Sequence, residues 1–420
     1  MIKTFFPERI LAFSPGFVGA GQLLIVIQVI ALFFSPPIVN LSEFLVYLIV
    51  LFVPQVRSKV KEFLVTSVGK TFLSFLAVIL AGAIWSWLQD ALDFGVLISW
   101  RKILLLPICA ALFKYNFGAQ RSFVAIYLIV CTFAALLSLF KFGLVGDGSV
   151  VRNYSTQSMF FSAGAMSAVA LAFFDKEGNS RSFHLCTFLV ILGGLVIGTV
   201  GRSGYLASIV MLLSLCALSL FRTQNTKETR YVIIAGVILV IGLVVAPQAN
   251  KRIEQALTEL RAPTSDSTQT SLGARKLFWV RTVEMVPDYW IVGSGTGSFA
   301  AAYALHATKN YPNGNLLLTG DPHNQFLKII IEQGIIGFLL FIALLFLLSK
   351  NDVNFLFWAL GVSGLIGWLA SSFFNSHFTT FSEGRFIWIW IGVLLTSKAT
   401  FAQNFYKECD QKPYKPTDQK

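Results

Sequence analysis

The sequence is poor in charge. Only 13% of its 420 residues are Asp, Glu, Lys or Arg, and 55% are hydrophobic, against about 25% and 45–50% in an ordinary soluble domain. This composition excludes a soluble globular enzyme and a disordered chain. The 33 basic residues outnumber the 21 acidic ones, but they are spread between apolar runs, which excludes a simple nucleic-acid binder.

Cysteine and the common metal-binding motifs are also lacking. None of the five cysteines has a partner at CxxC spacing, so neither a disulfide framework nor a cysteine-bound zinc site is indicated. The chain has no HExxH or GxSxG motif and no carboxylate pair at metal-binding spacing. We therefore predict that no metal takes part in its function.

What the chain has instead is long apolar runs. A membrane span needs about 20 mainly apolar residues, and about twelve runs come near that length. The sequence therefore predicts an all-α polytopic membrane protein with about twelve transmembrane helices. The runs are 17–34, 39–55, 69–88, 94–113, 122–141, 156–174, 183–200, 204–221, 231–247, 325–348, 353–374 and 385–397.

Basic residues fall in alternate short loops. Because positively charged loops stay in the cytoplasm, both termini are predicted to lie inside, including a polar tail at 402–420. No small-residue cleavage site follows the first run, so we expect it to be a retained span. The basic positions are Lys3, Arg9, Arg57, Lys59, Lys61, Lys114, Arg121, Lys176, Arg181, Arg222, Lys227, Arg230 and Lys350.

One connection is much longer than the others. Residues 248–324 form a polar segment before the tenth run, predicted to lie on the non-cytoplasmic side, and we call it the loop segment. Apolar residues at 253, 256, 257 and 260 have helical spacing and predict an amphipathic helix. A second helix is predicted over 272–286, capped by Ser271 and stopped by Pro287.

Two arginines lie on the side where cations are not expected. Arg202 stands in the GRSG turn at 201–204, and Arg275 begins the second predicted loop helix. Snorkelling to the interface or a solvated helix face would explain them simply. A guanidinium also binds phosphate through two parallel hydrogen bonds, so both are candidates for an anion site. Arg281 lies about 240° further round the helix than Arg275 and does not share its face.

A histidine precedes the tenth predicted span. His323 lies in the DPHN sequence at 321–324, where it could act as a general base near neutral pH. Behind it, Asn324, Lys328 and Glu332 recur at i, i+4 and i+8 and form a polar stripe. A structural role and a catalytic role are both consistent with this pattern.

Two further motifs are given structural roles. The GSGTG sequence at 293–297 lacks the strand–loop–helix context of a nucleotide-binding loop, so a tight or flexible turn is predicted. Glu383 and Arg385 lie near the outer ends of the last two spans, where an ion pair holding the helix bundle is expected.

These motifs together resemble the O-antigen ligase family, within a wider group that includes O-antigen polymerases and membrane oligosaccharyltransferases. The layout of spans with one large late loop is also similar, and residues 1–150 contribute only topology. The strings that carry the resemblance are GRS at 201–203, TSLGAR at 270–275, GSGTG at 293–297, HN at 323–324, EQG at 332–334 and Gly337.

The resemblance implies a GT-C type glycosyltransferase of the bacterial inner membrane that acts in the periplasm. Such a ligase transfers O-antigen glycan from undecaprenyl diphosphate to an outer-core sugar of lipid A-core, without metal, nucleotide or other cofactor. By matching position, Arg202 and Arg275 are expected to bind the diphosphate and His323 to activate the acceptor hydroxyl.

The residues themselves agree with this chemistry. Fixed cations can stabilise a departing diphosphate, and attack from the opposite face would invert the anomeric centre. Arg281, Asn324 and Lys328 are candidate supporting residues. The expected partners are the lipid-linked donor, the lipid A-core acceptor and membrane lipids, and no nucleic acid.

Two alternatives remain open. A polymerase or a protein oligosaccharyltransferase would use the same donor with another acceptor. A lipid-linked glycan transporter or flippase should show charges at the membrane midplane or broken helices. Lys70 and Lys141 are its obvious candidates, although each could snorkel, and the sequence has no internal repeat. The glycan, the core sugar and the oligomeric state are not indicated by the sequence.

Overall fold

The computed structural model describes residues 12–140, 149–175, 181–199, 201–223, 226–261, 270–312, 317–350 and 354–395. Within these ranges the structure is helical and has no β-strand. The first helices are α1 (Gly16–Phe34), α2 (Pro36–Phe52), α3 (Pro54–Leu64), α4 (Ser67–Leu88), α5 (Phe94–Trp100), α6 (Leu105–Phe113), α7 (Phe117–Leu139) and α8 (Tyr154–Phe174). The remaining helices are α9 (Arg181–Val196), α10 (Arg202–Thr223), α11 (Thr226–Val245), α12 (Pro247–Arg261), α13 (Ser271–Tyr289), α14 (Phe299–Asn310), α15 (Gln325–Ser349), α16 (Phe355–Ser371) and α17 (Phe381–Leu394).

Each predicted apolar run coincides with helical structure. In the described part of the chain, seven helices are long and apolar enough to cross a membrane, counting Phe94–Phe113 as one. Helices α9 and α16 and the 229–245 part of α11 are apolar but shorter. A polytopic helical membrane protein is therefore confirmed, and the number of twelve spans stays a prediction. The predicted tail at 402–420 and Lys141 lie outside the described residues.

The second predicted span is interrupted by a sharp bend. Helices α2 and α3 meet at 90° and together could form an eighth, broken span. Pro54 begins α3, and a proline both lacks an N–H donor and disfavours helical geometry in the residue before it. The predicted basic positions Arg57, Lys59 and Lys61 follow the bend and lie in α3, a short amphipathic helix.

The described part of the loop segment contains three helices, of which two were expected. Helix α12 matches the first, with Ile253 packed on the core and Leu257 exposed. The predicted cap and stop of the second were wrong. Thr270 caps α13, its hydroxyl accepting a hydrogen bond from the Gly273 N–H (3.1 Å), and the helix continues past Pro287 to Tyr289. Pro287 cannot donate to the Val283 carbonyl, so the last turn lacks one hydrogen bond, yet the helix does not end there.

Helix α15 is broken at Gly334, and the glycine-rich turn fits into the break. Gly334 has φ +64°, so carbonyls in the preceding turn lose their helical partners. The N–H groups of Ser294 and Gly295 bond to the carbonyls of Ile331 and Glu332 at 2.7 and 3.0 Å. The predicted tight turn at 293–297 is confirmed, with φ of +83°, +104° and +81° at its three glycines.

Close packing of α8 against α10 fixes the start of α10. The α8 span is 94% buried. A Cβ added at Gly204 would lie 2.2 Å from the Ser158 Cβ, and one at Gly201 would lie 2.2 Å from the Ser158 Oγ. Glycines therefore let the two helices approach. Arg202 begins α10 at this end of the bundle.

Arg385 holds the bundle through an ion pair, but its partner is Glu43 on α2. It also donates to the Asn40 Oδ1 at 2.9 Å. Glu383 instead accepts a hydrogen bond from the Thr156 hydroxyl at 2.8 Å. The three helices α2, α8 and α17 are thus joined at the end where α17 begins.

Candidate functional site

A cavity of about 960 Å³ lies between the ends of the bundle helices and the loop segment. Its walls come from the first residues of α8 and α10, from one face of α12 and from the first turn of α13. The connection after α16 adds Asn375. Arg202 and Arg275, which the sequence separates by more than 70 positions, therefore face one space.

Arg202 is the first residue of α10 and has a strong anionic partner. Its two terminal nitrogens bond to both carboxylate oxygens of Glu259 on α12, at 3.2 and 3.0 Å. The two side chains are 29% and 18% exposed. This fork-to-carboxylate geometry is the one a guanidinium also uses on a phosphate.

Arg275 lies one turn into α13 and has no such partner. Its half-buried guanidinium makes no hydrogen bond or ion pair with any described residue. Burial, and then the positive charge of Arg202, lower its pKa from the ordinary value, while Asp321 and Glu259 oppose the shift. The guanidinium nevertheless remains charged, because arginine does not deprotonate in proteins. The cavity thus contains a charged guanidinium that has no ion-pair partner among the described residues.

His323 lies next to this cavity, in contact with its lining residue Asn375. Its Nδ1 lies 3.4 Å from the Asn375 Oδ1, and its ring stacks on Phe278. The Asn375 Oδ1 accepts from the Ser376 N–H at 3.0 Å, so this oxygen can only accept from the imidazole. The proton therefore belongs on Nδ1 and the lone pair on Nε2, which has no hydrogen-bond partner among the described residues.

Asp321 fixes the backbone that carries His323. Its Oδ1 accepts from the His323 N–H and the Ser376 hydroxyl, both at 2.7 Å, and its Oδ2 from Lys328 at 3.0 Å. Burial opposes ionisation, but Lys328 and these hydrogen bonds hold the pKa of Asp321 below its usual value. His323 itself has φ +53°, a conformation that such contacts must stabilise.

The three candidate supporting residues occupy different places. Asn324 caps α15 by accepting from the N–H groups two and three residues on, at 3.0 and 3.1 Å. Lys328 is buried and paired with Asp321. Arg281 is buried away from the cavity, with its guanidinium 4.4 Å from the Tyr311 ring centre. The structure therefore brings Arg202 and Arg275 to one cavity, places His323 in contact with its lining residue Asn375, and leaves Arg281 outside.

Sequence reasoning missed Asn375, Asp321 and Glu259. His377, two residues after Asn375, is buried and bonded to the Ser371 hydroxyl at 2.9 Å. Burial lowers the pKa of His377 to about 4, so it is neutral at physiological pH. Asp321 was detectable, because an acid two residues before a histidine can bond to its backbone N–H.

Among the described residues, no group of three or more His, Cys, Asp or Glu side chains could hold a metal ion.

Comparison with known families gives one match at this site. Residues 187–342 match the family model described as O-antigen ligase. The match includes Arg202, Arg275 and His323 and ends before Asn375. No curated protein sequence matches the chain.

Proposed function

We propose that this chain, whose residues 187–342 carry an O-antigen ligase family domain, transfers O-antigen glycan from undecaprenyl diphosphate to an outer-core sugar of lipid A-core. The observation that supports the proposal most is the shared cavity. It brings together two arginines, one of them without an ion-pair partner among the described residues, and its lining residue Asn375 contacts the ring of His323, whose Nε2 keeps a lone pair. These are the groups that a glycosyl transfer from a diphosphate requires.

The arginines bind and stabilise the leaving group. Cleavage of the bond between the sugar and the diphosphate leaves additional negative charge on the departing phosphate. Cations fixed in position before the reaction stabilise that charge without reorganisation. Arg275 is suited to this role because its guanidinium is half-buried and unpaired within the described structure, where a charge interaction is stronger than in water.

His323 is the base. Its Nε2 accepts the proton of the acceptor hydroxyl as that oxygen forms a bond to the anomeric carbon of the donor. The bond from this carbon to the diphosphate breaks, and undecaprenyl diphosphate leaves with both electrons. Because acceptor and leaving group lie on opposite faces, the anomeric centre is inverted.

We place the cavity on the periplasmic side of the inner membrane, with twelve spans and both termini in the cytoplasm. Two ion pairs join loops that are predicted to be cytoplasmic, so these loops lie at the same end of the bundle, as the proposed orientation requires. They are Lys114 with Glu62 and Arg121 with Asp175. The cavity lies at the helix ends where α10, α15 and α17 begin and α16 ends.

The lipid part of the donor has a matching surface. An apolar groove of about 310 Å³ runs between α10 and α11 and includes Ile209, Cys216 and Val240. Ile209 is seven residues after Arg202, about 10 Å along the helix axis. A polyprenyl chain in this groove would place its diphosphate at the cavity.

A reconstituted transfer reaction tests the proposal. We expect purified protein to join a glycan from undecaprenyl diphosphate to lipid A-core with EDTA present. His323→Ala should lower the rate about 10²–10⁴-fold, the usual contribution of a general base. Arg275→Ala should also abolish transfer. His306→Ala, which alters a histidine bonded to Glu284 outside the cavity, is the matched control.

The acceptor separates the ligase from its relatives. A product joined to a second lipid-linked glycan, rather than to lipid A-core, would identify a polymerase. Full activity of His323→Ala would remove the base assignment. Movement of the lipid-linked glycan across a membrane without transfer would contradict the enzymatic function.

A further inference from the structure

Glu259 is the carboxylate that pairs with Arg202 in the wall of the cavity. Both of its oxygens bond to the Arg202 guanidinium, at 3.0 and 3.2 Å. One of them also accepts a hydrogen bond from the Leu272 N–H at 3.2 Å. Leu272 is the second residue of α13, so this carboxylate joins α10, α12 and the first turn of α13.

The donors around Glu259 form a set that suits a phosphate. An arginine fork together with a backbone N–H at the start of a helix is a common way to bind a phosphate oxygen. Arg275 lies three residues after Leu272 and faces the same cavity. The site thus offers two guanidinium groups, one paired with Glu259 and one without an ion-pair partner among the described residues.

We propose that Glu259 is an internal substitute for one phosphate of the donor, holding that position until the diphosphate displaces it. This inference rests on the proposed function, because it assumes that a diphosphate binds between Arg202 and Arg275. Glu259 occupies the fork formed by the two terminal nitrogens of Arg202, so a diphosphate that uses this same fork must break the contact between Glu259 and Arg202. That displacement removes the ion pair that joins α12 to α10.

An alternative role for Glu259 predicts the opposite effect. If the carboxylate only orients Arg202 for the donor, its removal will weaken binding. If it competes with the donor, its removal will strengthen binding. The sign of the change in affinity therefore separates a competitor from a positioning residue.

The test uses the full chain in lipid nanodiscs, with undecaprenyl diphosphate lacking any glycan as the probe. Glu259→Gln keeps the shape of the side chain and removes its charge. A partly exposed ion pair changes an equilibrium constant by less than about tenfold, so we expect Kd to fall about three- to tenfold. In the Arg202→Ala variant the same substitution should cause no such gain, because the guanidinium with which Glu259 competes for the donor is absent.

Glu254→Gln is the matched control. Glu254 lines the same cavity from the same helix but makes no ion pair or hydrogen bond with Arg202. Its substitution measures the general effect of removing one negative charge, and this effect should be equal with and without Arg202. Only the additional gain seen with Glu259→Gln counts for the proposal.

The outcomes separate this inference from the proposed function. If the unaltered protein binds the probe and Glu259→Gln binds it equally or more weakly, the inference is wrong and the proposed function stands. If neither protein binds the probe, both the inference and the proposed function are wrong. Binding that is seen only after Glu259→Gln would support the inference strongly.

Discussion

At the scale of single residues, the site depends on side chains that control one another. Arg202 is neutralised by Glu259, whereas Arg275 is not paired in the described structure. His323 is held at its backbone by Asp321 and at its ring by Asn375. Removing a neighbour should therefore change the chemistry of a residue without removing the residue itself.

Asn375 offers the clearest test of this dependence. Its side-chain oxygen selects the imidazole tautomer that has a lone pair on Nε2. Asn375→Ala should lower kcat about tenfold or more, because the ring loses this orientation. Asn375→Asp keeps an acceptor and adds a negative charge that favours the protonated ring. It should restore much of kcat and move the acid limb of the pH–rate profile to higher pH.

The measurement is the transfer rate across pH for the three proteins. A loss in Asn375→Asp as large as that in Asn375→Ala, with no shift in the profile, would contradict a role through His323. It would place Asn375 in binding instead.

The sequence allowed the two arginines and the histidine to be predicted as candidates, because each lies where topology or an apolar run makes it unusual. It did not allow their partners to be predicted. Glu259 is 57 positions from Arg202, and Asn375 is 52 from His323. Such pairs form only when the helices pack, and no local pattern records them.

At the scale of elements, apolar runs predicted the helices well, but breaks within them were missed. The break in α15 depends on Gly334 and on a remote turn whose N–H groups fill it. A glycine in an apolar run also occurs in unbroken helices, as Gly242 does in α11. The difference lies in tertiary contacts that the sequence does not show.

Gly334→Ala tests the break. A Cβ there would lie 2.3 Å from the Ile291 carbonyl oxygen, on a backbone with φ +64°. With ψ −170° this backbone lies in a region essentially confined to glycine, where a residue with a Cβ costs about 1–3 kcal/mol, and the clash adds to it. We expect a Tm several degrees lower in detergent, measured by thermal unfolding of the purified protein.

Gly242→Ala is the matched control for Gly334→Ala. The nearest atom to its added Cβ is a Val196 methyl at 3.6 Å, an ordinary contact. Its Tm should be unchanged or slightly higher, because alanine favours a helix. Equal losses in the two variants would show that the positive-φ conformation at Gly334 is not what matters.

At the scale of the whole molecule, the low charge content predicted the membrane correctly. The sites of the charges carried further information, since the two exceptional arginines meet in one cavity. Under the proposed function, the donor would lie partly in the bilayer, with its chain along α10 and its diphosphate at the end of the bundle. The groove between α10 and α11 and the cavity should then act together.

Gly236→Phe tests whether groove and cavity share one substrate. Gly236 lines the groove, and a Cβ added there meets no atom within 4 Å, so the new ring can enter the groove without disturbing the core. We expect KM for the undecaprenyl donor to rise several-fold, with kcat at saturation retained. A donor whose lipid is too short to reach Gly236 should be used as well as by the unaltered protein. Val244→Phe, on the same helix but 61% exposed and outside the groove, is the control. Equal losses with long and short donors would mean that the chain lies elsewhere, because an obstructed groove can affect only a lipid that occupies it.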